Sequence, residues 1–314
     1  MKSYFTKPKL IVIGGPTASG KTDMAIDICK RCNGEIVNAD SRQIYKELNI
    51  GTNKGLIVPI DGEVVDLYGY KLQAFDIEKT GVVGWLFDIV NPDEEFNLAI
   101  YKKLADSVIR DITSRKKIPV LVGGTGLYID ALVKNFNLEG ERTDDSVRQI
   151  LNQLSLNELQ EKLKSLSLKV FDSLNNSDAN NSRRLIRYIE KTLNGNENTE
   201  QKSECKYEVE YCIPKYEKSE LSEKINKRVV KMFDEGLVEE TKQAIRKGWG
   251  ETKAMQSMTY KEVQKNLKGE IDYDKCVELI QLEHRKYAKR QMTWFRKSYA
   301  AKGIFPLTTI RTKV

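Results

Sequence analysis

The stretch Gly15-Pro-Thr-Ala-Ser-Gly-Lys-Thr22 constrains this chain more than any other, because it fixes what must stand on either side of it. It matches the phosphate-loop pattern of Gly, four residues, then Gly-Lys-Ser/Thr. Such a loop works only between a buried strand and a helix. Its glycines let backbone N–H groups converge on phosphate oxygens, and the helix N-terminus favours anions. Both neighbours are legible. Lys9 to Gly15 is an apolar run that reads as a buried parallel strand, and Lys21 to Arg31 has helical composition. Gly15, Pro16, Thr17, Ala18, Ser19, Gly20, Lys21 and Thr22 are therefore the expected phosphate or nucleotide site. Lys21 would supply a point charge and the Thr22 hydroxyl a ligand for Mg²⁺.

Further strands are expected at Glu35–Ala39 and Ile118–Val122, with helical periodicity from Phe96 to Arg115 between them. Strand, helix and strand alternate, so the expected core is an α/β, P-loop NTPase-like parallel sheet flanked by helices. Residues 56–88 read as a hairpin or insertion. From Asp144 to Leu174 the chain is rich in Leu, Lys, Glu and Gln and poor in β-branched residues, which predicts helices. Asn175–Asn181 reads as a turn, Ser182–Leu193 as a helix and Asn194–Ser203 as a polar break. Tyr207–Ile213 alternates like a strand returning to the core, and the remainder reads as mostly helical. The expected division is a core of 1–137 and 205–314 with an inserted helical subdomain at 138–204.

Composition excludes several chemistries. His284 is the one histidine, so a His-rich zinc site is impossible and a Ser-His-Asp triad would have to use that residue. It reads as a surface or RNA-facing residue. Proton transfer falls to carboxylates, Lys, Tyr or Thr. Five scattered cysteines do not form a disulfide framework, and Cys29 and Cys32 read as helix residues packing on the sheet. No apolar run reaches membrane-spanning length, so a cytoplasmic protein without a membrane partner is expected. Nothing demands more than a monomer. The net charge of +7 fits a polyanionic partner.

Two polar clusters follow later strands of the chain, and Asp40 in the first is the carboxylate nearest the phosphate loop in chain order beyond a strand. Asn38-Ala-Asp40-Ser41-Arg42-Gln43 follows the second strand, and Gly123-Gly-Thr125-Gly126 follows the strand at 118–122. Strand C-termini are where ligands collect in open α/β sheets. The Walker-B Asp of many phosphate-loop hydrolases is not obvious, because Val120-Leu-Val122 runs straight into glycines. Taken alone, either cluster could be a solvated turn or a tight strand exit.

The combination resembles one family, the tRNA dimethylallyltransferases or tRNA isopentenyltransferases. The resemblance rests on GPTASGKT at 15–22, ADSRQIYKELNIGTNK at 39–54, VGGTGLYIDAL at 122–132, RRLIRYIE at 183–190 and AKRQMTWFR at 288–296. It implies transfer of a dimethylallyl group from dimethylallyl diphosphate to N6 of adenosine 37 in the tRNA anticodon stem-loop. The phosphate loop, with Lys21 and Mg²⁺ bound by Thr22, would hold the diphosphate. Asp40 would accept the N6 proton and, with Thr125, contact the flipped adenine. Ser41, Arg42, Gln43, Arg148, Arg183, Arg184 and Arg187 would contact tRNA, as would Lys289, Arg290, Gln291, Trp294 and Arg296. Arg183, Arg184 and Arg187 share a helical face, which alone reads equally as solvated or paired with Glu190. In the tail, cations interleave with Tyr287, Trp294, Phe295 and Tyr299; cations suit phosphates and aromatic faces suit unpaired bases, with at least one aromatic expected in the core. The chain departs from the family pattern at Gly84-Trp-Leu-Phe-Asp88, after about twenty extra residues. No zinc-finger extension follows the core, which suggests a bacterial-type enzyme. A P-loop nucleoside or nucleotide kinase using ATP is the competing enzyme reading, and a non-catalytic RNA-binding protein is the third.

Overall fold

The computed structural model describes residues 7–138, 145–195 and 204–300. Among the described residues seven strands and twelve helices are formed: β1 (Lys9–Gly14), α1 (Lys21–Cys32), β2 (Gly34–Asn38), β3 (Ile57–Leu67), β4 (Tyr70–Ile77), β5 (Val82–Trp85), α2 (Leu98–Ser114), β6 (Ile118–Gly123) and α3 (Gly126–Val133) come first. Then come α4 (Asp145–Asn152), α5 (Leu156–Leu166), α6 (Leu168–Asp172), α7 (Asn176–Ala179), α8 (Ser182–Leu193), β7 (Glu208–Cys212), α9 (Lys218–Asp234), α10 (Leu237–Arg246), α11 (Met258–Leu267) and α12 (Tyr273–Ala300). They form two compact units, residues 1–135 with 204–314, and residues 136–203.

The first unit carries one sheet in the order β3-β4-β5-β2-β6-β1-β7. The five strands from β5 to β7 run parallel, as expected of a P-loop NTPase-like fold. The sheet as a whole is mixed, because β3 and β4 add an antiparallel hairpin at one edge. The hairpin lies within residues 56–88, where a hairpin or insertion is expected.

Side chains along the central strands alternate between two cores. Leu10, Val12, Val37 and Leu121 face one cluster, which α2 and α3 cover. Ile11, Ile13, Ile36, Val120 and Val122 face the other, which α1 covers. A sheet buried on both faces needs apolar residues at every position, which is why these strands read as continuous hydrophobic runs. Cys29 is buried and Cys32 half-buried in the second cluster, and both are free thiols. A buried carboxylate fastens the sheet. Glu35 binds Arg115 through two contacts of 2.5 and 2.7 Å, Lys117 at 2.7 Å and the Trp85 indole at 2.7 Å. Burial alone would raise its pKa, but these donors outweigh it and hold the carboxyl down to about 2.

The C-terminal helices α9 to α12 build a third cluster around Val229, Met232, Tyr260 and Ile280, into which Leu48 inserts. The 136–203 unit packs α4 to α8 about Leu151, Leu159, Leu163, Leu185 and Ile189. Asn175–Asn181 is not a bare turn. Asn175 accepts from the Asp178 N–H and caps the short helix α7. Most of the polar break expected at 194–203 lies outside the described residues.

Candidate active site

Three loops leave the C-terminal ends of β1, β2 and β6. Parallel register holds β1 and β6 together up to Ile13–Val122 and Gly14–Gly123. It holds β2 beside β6 up to Asn38–Val122. The loops therefore start side by side, and a cleft of about 420 Å³ opens among them. Its lining includes the phosphate loop from Thr17 to Thr22, then Asp40, Gln43, Gly123 and Gly124. Thr52, Asn53, Lys54, Lys224 and Arg228 also line it, as do the acidic Asp23 and Glu78.

The phosphate loop turns through left-handed backbone at Ala18 (φ 64°) and Gly20 (φ 79°). The Ser19 hydroxyl and the Lys21 ammonium both donate to the Pro16 carbonyl, at 2.9 and 2.6 Å. Thr17 is held from two directions. Its N–H donates to Gln291 Oε1 at 2.8 Å, and its hydroxyl accepts from Arg228 Nη2 at 2.7 Å. Burial lowers the Lys21 pKa to about 8; Asp40 opposes this and Arg228 adds to it. Burial lowers Arg228 to about 10, again against Asp40. Arg228 Nε is a buried nitrogen without a hydrogen-bond partner among the described residues. Two desolvated cations and one unsatisfied donor at a helix N-terminus form a site that favours a polyanion.

Asp40 sits in a turn of its own making. Its N–H donates to Asn38 Oδ1 at 3.2 Å, and its Oδ1 accepts from the Arg42 N–H at 2.9 Å. The Asp40 and Thr125 loops are stitched together. Ser41 N–H donates to Thr125 Oγ1 at 3.0 Å, Thr125 Oγ1 donates to Ser41 Oγ at 3.2 Å, and Thr125 N–H donates to the Ala39 carbonyl at 3.1 Å. The glycines of residues 123–126 permit this approach. A Cβ on Gly123 would lie 2.1 Å from the Ala39 carbonyl oxygen, and one on Gly124 would lie 2.2 Å from Gln291 Nε2.

The loop running on from Asp40 is braced at several points. Gln43 Nε2 donates to the Asn53 carbonyl at 2.9 Å. Lys54, buried, donates to Tyr45 O, Asn49 Oδ1 and Asp88 Oδ1. Glu240 of α10 receives the N–H groups of Asn49, Ile50 and Gly51 at 2.7, 2.8 and 2.9 Å, and the Tyr260 hydroxyl at 2.7 Å.

On α12, Lys289, Arg290 and Arg296 are exposed, and Arg290 lies over the Tyr287 ring. Phe295 is core, whereas Trp294 is 37% exposed and its indole donates to Asp130 Oδ2 at 3.1 Å. Of Tyr299 only the backbone is described. Two expectations require correction. Gln291, expected on the tRNA face, is 5% exposed, and its amide spans Thr17 and Gly124. His284, expected at the surface, is buried and bonded to Thr259 Oγ1 at 2.9 Å. Burial lowers its pKa to about 3, so the imidazole stays neutral near pH 7.

In the 136–203 unit, Arg148 grips Glu190 with two contacts of 2.7 Å, and Arg187 reaches the same carboxylate at 3.5 Å. Arg184 pairs with Asp178, while Arg183 is exposed. The paired reading of this face therefore holds for Arg187, and Arg148 is committed to the same acid. Sequence reasoning missed Arg228. It stands in α9 among Lys224, Lys227 and Lys231, a row that reads as a solvated basic face. Only packing shows that Arg228 reaches Thr17.

Among the described residues no cluster of three or more His, Cys, Asp or Glu side chains could hold a metal. No helix among them is long and apolar enough to cross a membrane.

Comparison with known proteins adds an independent line. Residues 74–298 match the family model of IPP transferase, and residues 8–63 match that of isopentenyl transferase. A tRNA dimethylallyltransferase of Acetivibrio thermocellus is 39% identical over 299 residues, covering 92% of this chain and 88% of that protein. One from Staphylococcus aureus is 37% identical over 300 residues, covering 92% and 90%. The full-length tRNA isopentenylpyrophosphate transferase of Bacillus halodurans superposes with a TM-score of 0.63 at 33% identity, covering 92% of this chain and 87% of that one. A eukaryotic dimethylallyltransferase acting on tRNA superposes with a TM-score of 0.72 at 24% identity, over 92% and 70%, a likeness of fold.

Proposed function

Because this chain belongs to the IPP transferase family of tRNA dimethylallyltransferases, we propose that it prenylates tRNA, moving a dimethylallyl group from dimethylallyl diphosphate to N6 of adenosine 37. The observation that carries this reading is one cleft with two chemistries on its walls. One wall is a cationic phosphate loop with Lys21 and Arg228; the other carries Asp40, stitched to Thr125 through its neighbour Ser41.

The chemistry balances with these groups. The N6 lone pair forms a bond to C1 of the dimethylallyl group. The C1–O bond breaks and its electron pair leaves with diphosphate. The N6 proton passes to the Asp40 carboxylate. Adenine N6 is a weak nucleophile because its lone pair is delocalised, so a positioned base contributes on the order of 10²–10⁴-fold. Lys21, Arg228 and the loop N–H groups meet the charge developing on the leaving group. The base must leave the stacked loop to reach the cleft. Mg²⁺ fits the donor set, since Thr22 lies exposed on the cleft wall and this ion takes few protein ligands beside substrate phosphates and water. When bound there it would neutralise diphosphate charge. Exposed Arg183, Lys289, Arg290 and Arg296 are the cations proposed to meet tRNA phosphates, with Ser41, Arg42 and Gln43 nearer the flipped base. Trp294 offers a partly exposed ring for stacking. A cytoplasmic, monomeric enzyme completes the reading.

The test is incubation with tRNA and dimethylallyl diphosphate, followed by mass analysis of the nucleosides. N6-isopentenyladenosine is the expected product; ATP consumption with no modified adenosine would establish a kinase instead. In the same assay Asp40→Asn is expected to cut turnover about 10²–10⁴-fold with stem-loop affinity little changed. Loss of affinity with turnover of bound RNA intact would remove Asp40 from the role of base.

A further inference from the structure

We propose that Gln291 is a positioning residue for prenyl transfer, a strut that fixes the separation between the diphosphate side of the cleft and its adenine side; this rests on the reading of the site given above. Register within the sheet ends at Gly14–Gly123. Beyond that pair the phosphate loop and the Gly124–Thr125 loop are no longer tied by strand hydrogen bonds. Gln291, reaching in from α12, restores a tie at their tips. Its Oε1 accepts the Thr17 N–H at 2.8 Å and its Nε2 donates to the Gly124 carbonyl at 2.9 Å.

The residue type follows from the geometry. One side must accept from an N–H and the other must donate to a carbonyl, and a neutral amide does both at once. Those two partners also fix the orientation of the amide, because the flipped form would face like against like. Gly124 allows the close approach, and the Cβ site there is also 3.7 Å from Asp40 Oδ2, so the strut ends beside the proposed base. The tie consumes one N–H of the phosphate loop. Thr17 spends that donor on the Gln291 amide, and its hydroxyl is simultaneously held by Arg228. A loop built only to bind anions would leave this donor free for the ligand. A displacement reaction has a different need: leaving oxygen, carbon and incoming nitrogen must stand in line at a set distance. A misplacement of about 1 Å can cost on the order of 10²-fold in rate. At 5% exposure with both polar ends used, Gln291 is poorly placed to touch RNA.

The experiment uses the full chain with dimethylallyl diphosphate and an anticodon stem-loop RNA, comparing wild type with Gln291→Met and Gln291→Glu. Single-turnover rate, melting temperature and the Kd values for inorganic diphosphate and for the stem-loop are measured. Methionine keeps the shape and removes both hydrogen bonds. Glutamate keeps the acceptor for Thr17 but sets oxygen against the Gly124 carbonyl. Both variants are expected to lose about 10²-fold in single-turnover rate, with the stem-loop Kd within about threefold of wild type; the diphosphate Kd stays within the same range for methionine and weakens for glutamate, whose charge repels the anion. A rate within about threefold of wild type overturns the strut. So does a rate loss that disappears at saturating stem-loop and tracks a weaker stem-loop Kd, which would make Gln291 an RNA contact. If the methionine variant does not fold, the glutamate variant is judged by the same criteria. A wild type that yields no N6-prenylated adenosine overturns the functional reading and the strut together, whereas an active wild type matched by an equally active Gln291→Met overturns the strut alone.

Discussion

Lys21 and Arg228 share a desolvated corner with Asp40, and the sign of that arrangement is measurable. Burial depresses the Lys21 pKa to about 8, with Asp40 holding it up and Arg228 pushing it down. A depressed ammonium pKa means that the free site loses its proton as pH rises through about 8. A bound diphosphate favours the charged form and raises that pKa. Binding of dimethylallyl diphosphate above pH 8 should therefore take up close to one proton, and affinity should fall on the alkaline side by up to tenfold per pH unit. Calorimetry at pH 9 in buffers of different ionisation enthalpy measures the uptake, and Lys21→Met should abolish it. Uptake that persists in that variant would assign the proton elsewhere. Lys21 was legible because its motif names it. Arg228 was not, because inward and outward cations on one amphipathic helix look alike until the helix has neighbours.

The loop from Asp40 to Lys54 is long and irregular, yet it is braced by the C-terminal helices. Glu240 takes three consecutive backbone N–H groups and the Tyr260 hydroxyl, while the fully buried Tyr260 ring presses on Gly51. A Cβ on Gly51 would lie 2.4 Å from Tyr260 Cζ, nearer than packed atoms approach. Gly51→Ala should cost roughly 1–3 kcal/mol by overpacking, and Tyr260→Leu in the same chain should return part of that loss in urea unfolding. Additive losses would show that the two residues do not press on each other. At this scale the central strands and α1, α2 and α8 were readable from composition and periodicity. The 55–81 segment was readable only as a hairpin or insertion. It joins the sheet edge through β4, whose Phe75, Asp76 and Ile77 pair with β5, while the outer strand β3 is mostly exposed and so shows little alternation.

Across the whole molecule the net charge of +7 matters through where its exposed share sits. Arg148 and Arg184 spend their charge on Glu190 and Asp178, whereas Lys289, Arg290 and Arg296 on α12 are exposed. Replacing Lys289 or Arg290 with Ala should weaken tRNA binding at low salt and reduce the slope of log affinity against log salt by about 0.7–1 for each phosphate that the cation neutralises. Filter binding across a salt series checks this. An unchanged slope would place that cation away from the RNA, and Arg148→Ala serves as the contrasting case of a charge already paired.

By itself the sequence determined the phosphate-loop motif, the parallel core strands and the family, because each depends on local order: glycine spacing, continuous apolar runs, period-3.6 burial, and motifs in a fixed succession. The tertiary structure decided which residues far apart in the chain act together. It brought Gln291 between Thr17 and Gly124, turned Arg228 into the cleft, and buried His284, the one histidine. These outcomes depend on which face of a helix meets the sheet and on how far loops diverge beyond their last paired residues. Such distances are set by packing among elements, and no short stretch of sequence contains them.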